Sequence, residues 1–331
     1  MSEKSTGIPV IDGALEEQLV TQMGKVENLL RSHIEGDYPL IVETSRHLVE
    51  AGGKRVRPLL ALLASHFGNP DAPGVIESAV VCELTHLATL YHDDVMDEAT
   101  LRRGVPSANV RWNNTVAILT GDYLFAKASD LLADLGPEAV RLQARTFERL
   151  VIGQISETQG GSEGLSLLQH YIKVIEGKTG SLIATSARFG AMFAGAPQPI
   201  VESLTRFGEK IGIVFQLADD VLDVESESAQ SGKTPGTDLR EGVPTLVTLF
   251  ILESEKSEDA VLKEILRAPI EDEAIVADVL QQLRSHGALI KAKELVQEYL
   301  DGALAELATL PDGASKAALI SLCNAIAQRS A

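Results

Sequence analysis

The stretch CELTHLATLYHDDVMD, residues 82–97, runs a long apolar segment into three aspartates. Its apolar side chains recur with helical period, and the pattern reaches back to about Val75. On a helix, Asp93 and Asp97 are four residues apart and share one face. Like charges stacked one turn apart repel unless something positive lies between them. The same D-D-x-x-D spacing returns at Asp219, Asp220 and Asp223, closing the segment GIVFQLADDVLD, residues 212–223. A single acidic run is ordinarily a solvated face. Two copies, each following an apolar helical stretch, point instead to oxygen ligands for Mg²⁺. That ion keeps several waters and completes its octahedron with phosphate oxygens. Two such helices facing each other would gather several Mg²⁺ ions around a diphosphate.

Working outward, nearly every segment carries helical periodicity. Leu15, Leu19, Met23, Val26 and Leu30 mark an opening amphipathic helix. Further stretches cover about Val116–Leu135, Val140–Ile155, Ser181–Phe193 and Ile200–Val224, and amphipathic segments continue from about Leu246. Pro58 falls where a first helical turn tolerates proline. Strand patterns are scarce and no fixed repeat stands out. The spacing predicts an all-α protein of a dozen or so helices. No strong linker interrupts it, so residues 1–331 are expected to form a single domain.

Composition narrows the function. At 331 residues and 45% hydrophobic, the chain can bury a sizeable core. Aromatics make up 4%, too few for base-stacking platforms, and 47 acidic against 29 basic residues give a net charge of −18. Such a surface repels nucleic acid and anionic lipid. An anionic substrate therefore needs a local cationic cluster or bound metal. Cys82 and Cys323 are too few for a disulfide framework. The opening MSEKSTGIPV shows no secretory signal, and no apolar run is long enough to span a membrane. A cytoplasmic location without stable membrane insertion is expected.

The cationic clusters are local. Gly52-Gly53-Lys54-Arg55-Val56-Arg57-Pro58 precedes a helix, where backbone N–H groups and basic side chains suit an anion. It is not a Walker loop, because no Ser or Thr follows Gly-Lys. Arg102 and Arg103 lie just beyond the first aspartates, and being adjacent they diverge and can serve two anions. Lys178-Thr179 falls at a helix junction. Lys233 lies in the polar loop Ser226–Gly242, the best candidate for a mobile flap. Gln216 precedes Asp219-Asp220 by one turn. Glu83-x-x-His86 matches half of a carboxylate di-iron site, but the second copy such a site needs is missing.

Taken in order, GGKRVRP, HDDVMDEATLRRG, KT, FQLADDVLD and GKTPGTDLREG resemble the trans-polyprenyl diphosphate synthases. The motifs span about Gly52 to Leu246. The resemblance implies an all-α, single-domain isoprenoid-synthase-type bundle around a deep central cavity, usually a homodimer. It implies condensation of isopentenyl diphosphate with an allylic diphosphate. By motif, Asp93, Asp94 and Asp97, with Asp219, Asp220 and Asp223, match the Mg²⁺-binding aspartates. Lys54, Arg57, His86 and Arg103 match isopentenyl diphosphate contacts. Arg102, Lys178, Thr179, Gln216 and Lys233 match groups around the allylic diphosphate. One departure is Val243, in Gly242-Val243-Pro244-Thr245-Leu246, where many relatives carry lysine.

Ala88 and Thr89 sit five and four residues before Asp93, and Thr85 lies further along the same side. In short-chain relatives, bulky aromatics at the first two positions floor the cavity. Small residues here imply a medium- or long-chain product, roughly six to ten isoprene units by analogy with the family. The alternatives are a shorter farnesyl or geranylgeranyl product, a terpene cyclase, and a non-catalytic subunit of a two-component synthase. Against a cyclase stand GGKRVRP and the paired arginines, because a cyclase has no second diphosphate to hold. Against a non-catalytic subunit stand two intact aspartate clusters.

Overall fold

The computed structural model describes residues 6–9, 11–161, 164–226 and 235–327. In chain order these form α1 (Gly13–His33), α2 (Pro39–Glu50), α3 (Val56–Ser65), α4 (Val75–Met96), β1 (Leu101–Arg102), β2 (Val105–Pro106), α5 (Ala108–Arg111), α6 (Asn114–Leu135), α7 (Pro137–Gln159) and α8 (Leu167–Ile175). A π-helical turn, Glu176–Gly180, precedes α9 (Ser181–Phe193) and α10 (Gln198–Glu225). Then come α11 (Thr237–Glu241), α12 (Leu246–Leu252), a 3₁₀ turn at Ser257–Asp259, α13 (Ala260–Ile265), α14 (Glu273–Ser285), α15 (Gly287–Ala308) and α16 (Ala314–Ala327). The all-α expectation holds, with more helices than periodicity suggested. The surplus is short: α5, α11, α12 and α13 have four to seven residues, too few to show a period.

The hairpin was not foreseen either, since two residues per strand carry no alternation. Its strands pair Leu101 with Pro106 and Arg102 with Val105. The connecting Arg103 and Gly104 both have positive φ, 54° and 78°, the requirement of a two-residue type I′ turn. Glycine adopts this backbone without strain, whereas Arg103 does not.

The chain divides into two compact units. The first comprises Met1–Phe147, Leu182–Thr205 and Thr309–Leu319; the second comprises Glu148–Ser181, Arg206–Ala308 and Ile320–Ala331.

Within the first unit, α4 is buried on almost every face, as its apolar sequence requires, and packs against α1, α3 and α6. On its inner stripe α1 buries Leu15, Leu19, Gln22, Val26 and Leu30. Gln22, rather than the expected Met23, completes that stripe, because its amide reaches the carbonyl of Pro70 at 2.9 Å. Asp12 starts α1 by accepting the N–H groups of Ala14 and Leu15. The far end of α4 is pinned by Tyr91, fully buried, whose hydroxyl donates to Thr44 O and accepts from Leu48 N at 3.3 Å. The first aspartate cluster thus sits on a helix end fixed to α2.

Within the second unit, Leu246, Val247, Leu249 and Ile251 of α12 are buried, and α12 packs against α8 and α15. The part of α10 in this unit buries Ile211, Ile213, Val214, Leu217, Ala218, Val221 and Val224. Lys210 ties it to α15 through Gly302 O at 3.1 Å and Glu306 at 2.8 Å.

In the first unit α9 meets α3 backbone to backbone. A Cβ on Gly190 would lie 1.9 Å from Ala61 O. Gly190→Ala is therefore expected to lower stability by ~3 kcal/mol, the upper end of overpacking penalties. Urea unfolding measures this, and a loss below ~0.5 kcal/mol, the ordinary range of harmless surface changes, would contradict the contact.

Candidate active site

Both aspartate clusters lie at the C-terminal ends of their helices. Asp97 caps α4, its N–H bonding to Asp93 O at 2.8 Å, and Asp223 falls in the last turn of α10. The helix dipole already leaves partial negative charge there, so stacked carboxylates are doubly unfavourable without a cation.

Each cluster is built alike. Its second aspartate is buried and engaged by protein donors, whereas the first and last are partly or fully exposed. Asp94 is wholly buried and accepts from Arg102 Nε at 2.6 Å, and its Oδ2 has no partner among the described residues. Burial raises its pKa against the opposing pull of Arg102, with Asp97 adding to the rise. Asp220, 2% exposed, accepts from the Tyr171 hydroxyl, from Leu246 N–H at 3.1 Å and from Gln216 Nε2 at 3.2 Å. Burial nevertheless pushes it up to about 6.

Asp238, which sequence reasoning missed, stands at about 8. Burial is the main cause, followed by the charges of Asp223, Asp220 and Glu241. Four acidic groups thus crowd one region of the second unit. Asp223 also accepts Thr237 N–H at 3.3 Å, fastening α11 beside it.

No three acidic or histidine groups among the described residues converge closely enough to chelate a metal unaided. Mg²⁺ makes a smaller demand, since one or two carboxylates suffice when substrate phosphates and waters complete its shell. The partly or fully exposed pairs Asp93/Asp97 and Asp219/Asp223, together with the Asp94 oxygen that has no partner among the described residues, fit that requirement.

Lys178 and Thr179 lie within the π-helical turn, the junction expected from the sequence. Two glycines explain its closeness to α7. A Cβ on Gly153 would lie 2.7 Å from Lys178 N, and one on Gly177 would lie 2.9 Å from Arg149 O. Lys178 Nζ pairs with Glu157 at 2.6 Å. Lys233 and residues 227–234 of the expected flap lie outside the described residues. The described remainder includes Arg240, held bidentately by Glu273 at 2.7 Å, and the exposed Val243 follows it directly.

The basic residues of the first unit surround His86. Arg57, Arg103, Arg102 and Arg55 all press on it and, after burial itself, drive its pKa well below the usual histidine range. Burial also lowers Arg57 and Arg103. Arg57 Nε is buried with no partner among the described residues. A guanidinium so placed is costly unless an anion joins it. Lys54 is exposed and lines an open cleft of about 710 Å³ with Gly53, Arg55 and Glu27.

Arg55 and Glu83 were quoted in the sequence but not assigned to the site. Arg55 adopts φ 47° and bonds Glu27 at 2.6 Å and Glu83 at 2.8 Å. The left-handed backbone costs roughly 1–2 kcal/mol at a non-glycine residue. Glu83 is a counter-ion here, not half of a metal site. A glutamate inside the apolar run CELTHL was the signal that could have found it.

Of the proposed length-setting residues, Thr85, Ala88 and Thr89 are all buried. Thr85 Oγ1 accepts from Gln143 Nε2 at 2.7 Å, and Thr89 Oγ1 donates to His86 O at 2.8 Å. Ala88 lies against α6, its carbonyl 3.0 Å from where a Cβ of Gly121 would stand.

Residues 38–283 match the polyprenyl synthetase family model. The chain is 46% identical to the nonaprenyl diphosphate synthase of Mycobacterium tuberculosis, over 96% of this chain and 95% of that protein. Among solved structures, the geranylgeranyl pyrophosphate synthase of Corynebacterium glutamicum, complexed with calcium and isoprenyl diphosphate, is similar. It has a TM-score of 0.87 at 45% identity, covering 96% and 98% of the two chains. The decaprenyl diphosphate synthase of Rhodobacter capsulatus also has a TM-score of 0.87, at 32% identity, covering 96% and 99%. The chain belongs to the polyprenyl synthetase family. It is accordingly a prenyltransferase with the all-α isoprenoid-synthase fold.

His86 generates a pH prediction. Its folded pKa lies below the unfolded value of about 6.5, so folding favours the neutral ring. That contribution is complete above about pH 6.5 and falls away as the pH drops. The wild-type thermal midpoint should therefore fall more steeply from pH 7 to pH 5 than that of His86→Asn. Equal slopes in a melting series would refute it.

Proposed function

We propose that the chain condenses isopentenyl diphosphate head-to-tail onto an allylic diphosphate in a Mg²⁺-dependent reaction. Repeated, the step gives a medium- or long-chain all-trans-polyprenyl diphosphate. The observation that carries this reading is the buried Nε of Arg57, without a partner among the described residues, beside the arginines around His86. It supports a second anion site, which a condensing enzyme needs and a terpene cyclase does not. The relatives named as nonaprenyl and decaprenyl diphosphate synthases support the longer product. The relative complexed with calcium and isoprenyl diphosphate supports a divalent cation and that class of ligand.

In this reading Asp93 and Asp97 hold Mg²⁺ at the first motif, and Asp219 and Asp223 hold it at the second. Asp94 and Asp220 belong to the same motifs and steady them through Arg102 and Tyr171. Bound Mg²⁺ supplies Lewis-acid charge where negative charge develops on the departing diphosphate. Lys178, Lys233 and the outer nitrogens of Arg102 add fixed positive charge there. Thr179 and Gln216 turn dipoles toward the allylic cation. Lys54, Arg57, Arg103 and a neutral His86 orient isopentenyl diphosphate, making the encounter effectively unimolecular. The released diphosphate takes the proton.

The small residues Thr85, Ala88 and Thr89 leave room for the growing chain. Both compact units form one catalytic domain in this reading, and the chain works as a homodimer, consistent with Ile118 and Leu119 being exposed on α6. Cytoplasmic placement completes it. Among the described residues no helix is long and apolar enough to cross a membrane, and the net charge of −18 disfavours nucleic acid.

Purified protein incubated with farnesyl diphosphate, isopentenyl diphosphate and Mg²⁺ tests the proposal by product mass. Chains of roughly six to ten isoprene units are expected. Products of at most about four units would support the shorter-chain reading suggested by the Corynebacterium relative. Diphosphate release without elongation would indicate a cyclase, and no release a non-catalytic subunit. Asp93→Asn should cut turnover at least ~100-fold, as losing a transition-state charge stabiliser does. Thr89→Phe should shorten the product, and unchanged lengths would remove these residues from the floor.

A further inference from the structure

Glu83 is 2% exposed in the middle of α4, where a carboxylate is found only when paired. Its partners come from two separate turns. Arg55 Nη1 lies 2.8 Å away, in the turn before α3. Arg103 Nη2 lies 3.9 Å away, in the hairpin turn. The two turns also touch directly, since a Cβ on Gly53 would lie 2.9–3.1 Å from the Arg103 guanidinium.

Arg55 has little left to offer a ligand. Its Nε bonds Glu27 at 2.6 Å, Nη1 bonds Glu83 and Gly52 O, and Nη2 bonds Val49 O at 3.1 Å. Four of a guanidinium's five N–H donors are thus spent inside the protein. Arg103 commits Nη1 to Leu48 O at 2.8 Å and to Gly52 O. Both arginines sit in left-handed backbone, φ 47° and 54°, which persists only where the surroundings over-determine it. Glu83 and the Gly52 carbonyl are common to both, and Glu83 alone of the two carries the opposite charge.

We infer that Glu83 and Arg55 are positioning residues, an ion-paired latch that sets the two basic turns so that Arg57 and Arg103 meet the diphosphate of isopentenyl diphosphate. This rests on the assignment of those two arginines under the proposed function. The latch touches no substrate. It acts by holding Gly52 and Gly53 where the Arg103 guanidinium can lie across them, and by fixing the entry into α3 that carries Arg57.

The test is steady-state kinetics of the full chain with Mg²⁺, varying isopentenyl diphosphate and farnesyl diphosphate separately. Glu83→Gln keeps the shape and removes the charge; Arg55→Lys keeps the charge and removes the fork. Each is expected to raise KM for isopentenyl diphosphate about tenfold, with kcat and KM for farnesyl diphosphate within about twofold, the signature of lost ground-state binding. The double variant should be no worse than the poorer single one, because the pair acts as a unit. A merely structural ion pair would lower stability and leave that KM ratio unmoved. An unchanged KM for isopentenyl diphosphate, or a parallel rise in both KM values, would overturn the latch. Should Glu83→Gln lack a cooperative melting transition, Arg55→Lys decides on the same criteria. Arg57→Ala serves as control: if it leaves KM for isopentenyl diphosphate unchanged, the underlying site assignment fails instead.

Discussion

Carboxylates one turn apart, at the end of a helix whose dipole is already negative, repel each other and the peptide groups beneath them. That unfavourable arrangement occurs in both compact units, and the neighbouring structure is organised around it. In the first unit, Arg102 reaches back from the hairpin to Asp94 while Tyr91 pins α4 to α2. In the second, Tyr171, Gln216 and the first N–H of α12 converge on Asp220. The outer aspartates are the partly or fully exposed ones. Carboxylate oxygens so placed suit a hard divalent cation that takes its remaining ligands from phosphate and water.

Opposite charge is handled with similar care near His86. Four arginines there outnumber what Glu83, Glu27 and Asp94 neutralise, and Arg57 keeps a buried nitrogen without a partner among the described residues. The protein surface as a whole is acidic, so this is a small positive island in a negative field. Such an island selects by position. An anion gains there what the rest of the surface denies it.

Much of this was legible in the amino-acid order because it is local. Helical period located α4, α6, α7, α9 and α10 to within a few residues, and the D-D-x-x-D spacing named the charged face. What stayed hidden depends on long-range contact or on backbone twist. Asp94 reads like its neighbours, and only the fold gives it Arg102 and removes it from solvent. Tyr171 is 49 residues from Asp220, and nothing near it in the sequence announces the hydrogen bond. The hairpin at residues 101–106 has too few residues to alternate. Asp238 becomes abnormal only when α11 packs beside Asp223.

The left-handed backbone of Arg55 and Arg103 places stability and chemistry in opposition. Glycine at either position would relax the chain and erase a guanidinium in the same stroke. A screen that rewards heat resistance alone would drift toward that exchange, trading a positively charged hinge for a comfortable but inert bend. Efforts to toughen this protein should therefore spare those two corners and look for gains on faces remote from them.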